Sequence, residues 1–311
     1  MTKHGRLKSL LDRREFVITA EITPQLTADR DEFLQQAKPL KDRADAVNVT
    51  DGAGARVAMS SLAAAAMLVQ EGIEPVMQMT CRDRNRIAIV ADLIGAAALG
   101  ITNILFLRGD RPEGGDEPDA KAVFDLESND VITIAQRMRD EGMIPSGREF
   151  SCPPNFHIGA ADVPFDAPPD WKPDALRAKI DAGADFIQTQ FCFEPLTTQR
   201  YLERLREFGI LDRVPMILGV GPILSARSAS WMNENLFGVT IPDSIIRRLE
   251  GAKDQAAEGL RICVELIELY KVMPGVSGVH IMAPAQGPQR IADVIDAVMP
   301  ERLPRGSVPR D

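Results

Sequence analysis

Long apolar runs are absent from this 311-residue sequence. Nowhere do about 18 apolar residues follow one another, so we expect no transmembrane helix. Residues 1–6 (MTKHGR) lead into a charged amphipathic stretch and not into the apolar segment of a signal peptide. We therefore expect a cytoplasmic protein that does not associate with a membrane.

An excess of positive charge is also absent. The chain has 36 Lys and Arg against 45 Asp and Glu, which gives a net charge of −9. Binding to nucleic acid requires a basic stripe that neutralises phosphates, and the sequence contains none. We therefore expect no nucleic-acid partner, and small-molecule chemistry is the leading class of function.

Clustered metal ligands and paired cysteines are lacking as well. The cysteines lie far apart without a C-x-x-C pair, which argues against a zinc site and against a disulfide framework. We interpret them as buried free thiols near strand ends: Cys81, Cys152, Cys192 and Cys263. The three histidines, His4, His157 and His280, form no metal triad, so we expect no metal site.

What the sequence does contain is a short apolar run followed by a stretch of helical period, eight times over. The predicted strands are residues 16–22, 46–50, 75–80, 103–107, 155–160, 186–190, 215–220 and 279–282. The predicted helices are residues 29–38, 59–71, 84–99, 130–141, 173–182, 197–208, 226–235 with 242–270, and 288–298. The alternation predicts an α/β fold, a single (β/α)8 TIM barrel over residues 1–311 with 301–311 as a mobile tail.

An open, doubly wound sheet is the alternative fold. Against it, no G-x-G-x-x-G follows the first strand, and the pair Gly219 and Gly221 lacks the third glycine and comes at strand seven. In a barrel, the loop-like segments 109–119 and 161–172 and the polar strand ends would all lie on the carboxyl face, where barrel enzymes build their sites.

Two carboxylates at these strand ends are candidate catalytic groups. Glu21 lies in an otherwise largely apolar strand, where ionisation is costly and a general acid is favoured; the alternative is an ion pair with a neighbouring Arg or Lys. Asp110 follows strand four and is the second candidate; the alternative is a structural role, in which its side chain caps the next turn. Gly109 allows a ligand to approach the backbone, and Arg108 could bind a phosphate or a carbonyl edge, or form a surface ion pair.

The amide of Gln190 closes strand six and offers both a donor and an acceptor, which suits the edge of a pterin or a pyrimidine. Taken alone, Lys179 on the preceding helix is typical of a solvated face, and Thr50 of a strand-end hydroxyl.

Taken together, these strand ends resemble the methylenetetrahydrofolate reductase family. The matching segments are residues 20–24 (AEITP), 48–52 (NVTDG), 79–81 (MTC), 107–110 (LRGD) and 181–191 (DAGADFIQTQF), in the order found in the family. Residues 79–86 (MTCRDRNR) and 120–126 (AKAVFDL) look closer to the branch found in acetogens and some methylotrophs.

The resemblance implies a barrel that holds a flavin at its carboxyl mouth, FAD with FMN as the alternative. It also implies reduction of 5,10-methylenetetrahydrofolate to 5-methyltetrahydrofolate, or the reverse oxidation, with NADH or NADPH as electron donor. By the same resemblance Glu21 is the acid that opens the imidazolidine ring, Asp110 lies by the flavin and the pterin, and Gln190 reads the pterin. The implied flavin contacts are Thr50, Gln78, Arg108, Gly109, Asp110, Phe124, Asp125, Ala161, Asp162 and Lys179.

Three positions depart from the family pattern. Gln78 stands where many members have a flavin-contacting His, Gln286 aligns with a substrate-binding Arg, and Ala229 aligns with an aromatic near the substrate. Two other functions stay open. One is a tetrahydrofolate-binding methyltransferase barrel, in which Asp110 and Gln190 could also read a pterin. The other, suggested by Gln78 and the acetogen-like segments, is a member that receives electrons from a partner subunit. By analogy with the family we expect a homo-oligomer.

Overall fold

Parallel strands buried on both faces account for the short apolar runs of the sequence. A computed structural model describes residues 5–300, and within that range eight strands form one closed barrel in chain order. They are β1 (Val17–Ile22), β2 (Ala46–Val49), β3 (Pro75–Thr80), β4 (Asn103–Leu107), β5 (His157–Asp162), β6 (Phe186–Phe191), β7 (Met216–Val220) and β8 (Val276–Ile281). The closure confirms the predicted (β/α)8 barrel and excludes the open sheet; the predicted tail at 301–311 lies outside the described residues.

Helices cover the outside of the barrel. They are α1 (Arg6–Asp12), α2 (Arg30–Ala37), α3 (Ser61–Gln70), α4 (Arg86–Ala98), α5 (Ser128–Asp140), α6 (Asp174–Asp181), α7 (Pro195–Glu207), α8 (Ala226–Asn235), α9 (Asp243–Glu250), α10 (Gln255–Val272) and α11 (Pro288–Val298). The prediction of one helix over 242–270 was wrong: α9 ends at Glu250 with Gly251 as its C-cap, and Asp254 caps the start of α10 by accepting a hydrogen bond from the Ala257 amide at 2.9 Å.

Helix α1 was not predicted, and it closes the amino-terminal end of the barrel. Its apolar side chains Leu7, Leu10 and Leu11 pack with one inward residue from each of several strands. Those strand residues are Val17, Ala46, Val76, Leu105, Phe186 and Ile217. The opposite, carboxyl end of the barrel is therefore the open one.

Strand β5 begins and ends two residues later than predicted. It runs to Asp162, so Ala161 and Asp162 belong to the strand and not to the loop that follows it. Their side chains are consequently held by the sheet at the carboxyl rim, where the other strand ends lie.

The cysteines are free thiols. Cys81 and Cys192 follow β3 and β6, and burial raises the pKa of each thiol to about 11. The prediction of four buried thiols at strand ends was wrong for two: Cys263 is buried on α10, and Cys152 is exposed. None of the helices in residues 5–300 has the length and apolarity that crossing a membrane requires.

Candidate active site

Glu21 lies near the carboxyl end of β1, and its side chain is 22% exposed. Its Oε2 accepts a hydrogen bond from Gln78 Nε2 at 3.1 Å and lies 3.5 Å from His280 Nε2. The alternative expectation, an ion pair with Arg or Lys, is not met by any residue in the range 5–300. One oxygen of the carboxyl group thus faces an amide and an imidazole, and no guanidinium or ammonium group of residues 5–300.

Glu21 lines a cavity at the rim between β1 and β8. The cavity has a volume of about 240 Å³, and its other walls include Thr23, Gln36, Ala283 and Gly287. A second cavity of about 270 Å³ opens between the loops after β2, β3 and β4, and Arg82 lines it. Neither Asp110 nor Gln190 lines these two cavities.

Asp110 follows β4 and is exposed. Its Oδ2 accepts a hydrogen bond from the Gly54 amide at 3.0 Å, so it fastens the loop after β2 and does not cap its own turn. Gly109 beside it has a φ of +89°, and a Cβ there would lie 3.0 Å from the Cβ of Thr80. Glycine is therefore required at this position by both conformation and space.

Arg108 and Phe124 form one surface beside Asp110. The guanidinium of Arg108 lies 4.3 Å from the centre of the Phe124 ring, and its Nε donates to Glu127 at 3.2 Å. Phe124 has a φ of +41°, a strained backbone conformation of the kind that is found at ligand sites. The next residue, Asp125, accepts a hydrogen bond from the Arg86 amide at the start of α4 at 2.8 Å.

Ala161, Asp162 and Lys179 come together at the end of β5. Lys179 Nζ donates to the Ala161 carbonyl at 2.5 Å, and the Tyr201 hydroxyl donates to Asp162 at 2.7 Å. Burial raises the pKa of Asp162, although the bond from Tyr201 and the charge of Lys179 act in the opposite direction. The three predicted flavin contacts therefore form one contiguous group.

Gln190 and Gln286 are both engaged within the chain. Gln190 Nε2 donates to the Phe237 carbonyl at 3.2 Å, and its Oε1 accepts from the Phe191 amide at 2.9 Å. Gln286 Nε2 donates to the Pro222 carbonyl at 2.7 Å. A ligand that is read by Gln190 would have to replace its bond to the loop between α8 and α9.

Thr50 carries a buried hydroxyl at the carboxyl rim. The residue follows β2 and is 3% exposed, and its Oγ1 has no hydrogen-bond partner within residues 5–300. A buried hydroxyl left without a hydrogen bond is unfavourable, so this atom is suited to bond a ligand.

Asp51 and its partners were missed as functional positions. Asp51 accepts bonds from the Thr80 amide and hydroxyl at 2.9 and 3.0 Å, and from Arg84 at 2.7 and 3.1 Å. Burial by itself would raise the pKa of Asp51, but Arg84 and Thr80 more than offset it and the pKa lies below its usual range. Asp51 thereby joins the ends of β2 and β3. Its position inside the family-like segment 48–52 was the feature of the sequence that could have pointed to it.

Fold and site together define a (β/α)8-barrel protein with polar side chains at the carboxyl ends of several strands, where barrel enzymes carry their active sites. The chain belongs to the methylenetetrahydrofolate reductase family, because the model of that family matches residues 6–292.

Individual relatives agree with this assignment. A probable methylenetetrahydrofolate reductase (NADPH) of Caenorhabditis elegans is 31% identical over 85% of this chain and 39% of its own. Methylenetetrahydrofolate reductase (NADH) 1 of Arabidopsis thaliana is 25% identical over 89% of this chain and 47% of its own. The chain therefore spans less than half the length of either relative.

One solved structure shares the fold over nearly the whole chain. It is a protein from Clostridium thermocellum, described as binding two copies of 5-methyl-5,6,7,8-tetrahydrofolic acid. The TM-score is 0.66 at 16% sequence identity, with 95% of this chain and 98% of that one covered.

The Asp51 ion pair predicts a pH-dependent contribution to stability. Because its folded pKa is depressed, the contribution is present above the unfolded value near about pH 4 and is lost as the pH falls through the folded value. We expect Asp51→Asn to lower the free energy of unfolding by about 3 kcal/mol at pH 7, with a difference that shrinks below about pH 4.

Urea unfolding at a series of pH values measures that difference. Asp31→Asn is the control, since the Asp31 side chain is 86% exposed and should contribute little at any pH. A constant Asp51→Asn deficit from neutral to acidic pH would contradict the ion-pair account.

Proposed function

We propose that this chain catalyses the flavin-dependent reduction of 5,10-methylenetetrahydrofolate to 5-methyltetrahydrofolate, or the reverse oxidation. The observation that carries the proposal is Glu21: a half-buried carboxyl group at the barrel mouth that lines a cavity and has an amide and an imidazole as hydrogen-bonding neighbours. Because the chain belongs to the methylenetetrahydrofolate reductase family, we propose that this carboxyl group acts in the reduction of the folate.

The residues at the rim fit a flavin. Thr50 offers a buried hydroxyl that has no hydrogen-bond partner among residues 5–300, and Gly109 offers its backbone as a contact in the proposal. Gln78, Arg108, Phe124, Asp125 and the group Ala161, Asp162 and Lys179 supply further contacts in the proposal. A bound flavin, FAD or alternatively FMN, would supply the hydride chemistry. NADH and NADPH are both named among the relatives as donors, and we propose one of them here.

The side chains of this chain supply binding and proton transfer. In the proposal, Glu21 gives a proton to a nitrogen of the imidazolidine ring, which opens the ring to a reactive iminium ion. General acids of this kind typically accelerate a reaction by about 10²–10⁴-fold. Asp110 accepts hydrogen bonds from the pterin, and Gln190 reads the pterin edge with its amide after exchanging its bond to Phe237. Gln286 contacts the substrate beside β8.

Replacement of Glu21 tests the assigned role. We expect Glu21→Gln to lower the rate of folate turnover by about 10²–10⁴-fold, since an amide cannot supply the proton. Reduction of the flavin by NADH or NADPH should be unchanged. Stopped-flow absorbance measures the two half-reactions separately. Glu113→Gln, an exposed rim carboxylate in the loop after β4, serves as the control and should behave as the unmodified protein.

The same preparation distinguishes the alternative functions. A yellow protein that releases FAD or FMN on heating, identified by mass spectrometry, supports the reductase. A colourless protein that still binds tetrahydrofolate would favour the methyltransferase. A flavin-loaded protein that oxidises neither NADH nor NADPH would point to a partner subunit as the electron source. Normal folate turnover by Glu21→Gln would refute the role of Glu21.

The Thr50 hydroxyl predicts opposite effects with and without flavin. Thr50→Val removes an unpartnered buried hydroxyl, so the flavin-free protein should gain about 1 kcal/mol of stability. Loss of a bond to the flavin should weaken its binding by about 1 kcal/mol, or roughly fivefold in Kd. Thermal unfolding and fluorescence titration with FAD and FMN measure the two effects.

Thr80→Val is the matched control, because the Thr80 hydroxyl donates to Asp51 at 3.0 Å and its loss should destabilise the flavin-free protein. If Thr50→Val instead destabilises the flavin-free protein and leaves flavin affinity intact, Thr50 is not a flavin contact.

A further inference from the structure

The interior of this barrel contains a layer of polar side chains below Glu21. Such interiors are usually filled by Val, Ile and Leu. Here five polar side chains from β1, β2, β3, β6 and β8 lie in the middle of the barrel, each no more than 6% exposed: Thr19, Asn48, Gln78, Gln188 and His280. Burying polar groups is unfavourable unless they bond to one another, so their mutual arrangement is tightly constrained.

Two amides across the barrel form a reciprocal pair. Asn48 Nδ2 donates to Gln188 Oε1 at 2.6 Å, and Gln188 Nε2 donates to Asn48 Oδ1 at 3.2 Å. Gln188 Nε2 has a second hydrogen, and it points to Thr19 Oγ1 at 3.2 Å. The amide pair therefore makes Thr19 an acceptor of one hydrogen bond.

The hydroxyl of Thr19 has a single proton to donate. Within residues 5–300 its second neighbour is His280 Nδ1 at 2.9 Å, so the proton points to that nitrogen. His280 Nδ1 then accepts, and a neutral imidazole must carry its own proton on Nε2. That Nε2 is the atom that faces Glu21 Oε2 at 3.5 Å.

The same carboxylate oxygen also receives Gln78 Nε2 at 3.1 Å. From these contacts we infer that His280 is a positioning residue for Glu21, held by Asn48, Gln188 and Thr19 as the tautomer with its proton on Nε2. With donors directed at Oε2, the transferable proton of Glu21 resides on Oε1. This inference rests on the proposed role of Glu21 as the acid. It also gives Gln78 a role in orienting the acid besides any contact with a flavin.

The tautomer of His280 can be measured without any turnover. The chain has three histidines, so ¹⁵N-labelled histidine gives a spectrum simple enough to assign with His280→Gln and His157→Gln. We expect the His280 ring to carry a proton on Nε2 and none on Nδ1, in the protein with and without flavin. A proton on His280 Nδ1, or a doubly protonated ring, would overturn the inference.

His157 provides an internal reference for the spectrum. Its Nδ1 lies 3.0 Å from Asn103 Oδ1, and Asn103 Nδ2 is directed by its own bonds to Glu74 and to the Pro75 carbonyl, at 2.8 and 3.1 Å. Since the facing atom is an acceptor, His157 Nδ1 must carry a proton. We therefore expect Nδ1 to carry a proton in His157 and no proton in His280.

Thr19→Val tests whether the buried chain acts on Glu21. The change keeps the shape of the side chain and removes the hydroxyl that sets the tautomer. We expect an NMR signal shifted toward the other tautomer and a kcat for folate turnover lowered about tenfold, with KM and the rate of flavin reduction unchanged. His280→Phe should lose more activity than His280→Gln, because the glutamine amide still offers a donor to Oε2.

The outcomes separate this inference from the proposed function. If Thr19→Val folds, by circular dichroism, and retains both the tautomer and the kcat, the positioning role is wrong. If it does not fold, the tautomer of the unmodified protein decides. If the tautomer is as inferred but the unmodified protein neither binds flavin nor turns over folate, the proposed function fails and the buried hydrogen-bond order stands. Normal folate turnover by Glu21→Gln would refute only the role of Glu21 as the acid.

Discussion

The hydrogen bonds around Glu21 are the constraint on which the rest of the site depends. A half-buried carboxyl group in a barrel mouth would ordinarily form an ion pair with Arg or Lys. Such a partner would stabilise the ionised carboxylate. Here its neighbours are the amide of Gln78 and the imidazole of His280. They orient one oxygen of Glu21 and leave the other available, which is what an acid facing a substrate requires.

Ion pairs and hydrogen bonds hold three loops of the rim together. Asp51 binds Arg84 and Thr80, while Arg82 donates to the Gly52 carbonyl at 3.1 Å and approaches the Asp110 carbonyl at 3.4 Å. These contacts join the loops after β2, β3 and β4 beside Gly109. The surfaces assigned to the flavin in our proposal are therefore organised before any ligand binds, which lowers the entropic cost of binding.

The fold was predictable because strands buried on both faces leave continuous apolar runs, and the parallel order then places every carboxyl strand end on one rim. Helix α1 escaped prediction because seven mostly charged or polar residues gain their helical structure from packing below the barrel. Which residues belong to the candidate site was predicted from their positions at strand ends and from the resemblance. Their pairing was not: Gln78 meets Glu21 across 57 residues of sequence, and only the register and rotamers bring them together.

One structure would test the central claim most directly: a crystal structure of the flavin-loaded protein with 5-methyltetrahydrofolate. The account predicts the flavin ring at the carboxyl rim within hydrogen-bond distance of Thr50 Oγ1, the pterin beside Asp110 and Gln190, and Glu21 Oε1 directed at the folate nitrogens with Oε2 bonded to Gln78 and His280. A flavin bound away from this rim, or a folate that Glu21 cannot reach, would contradict it.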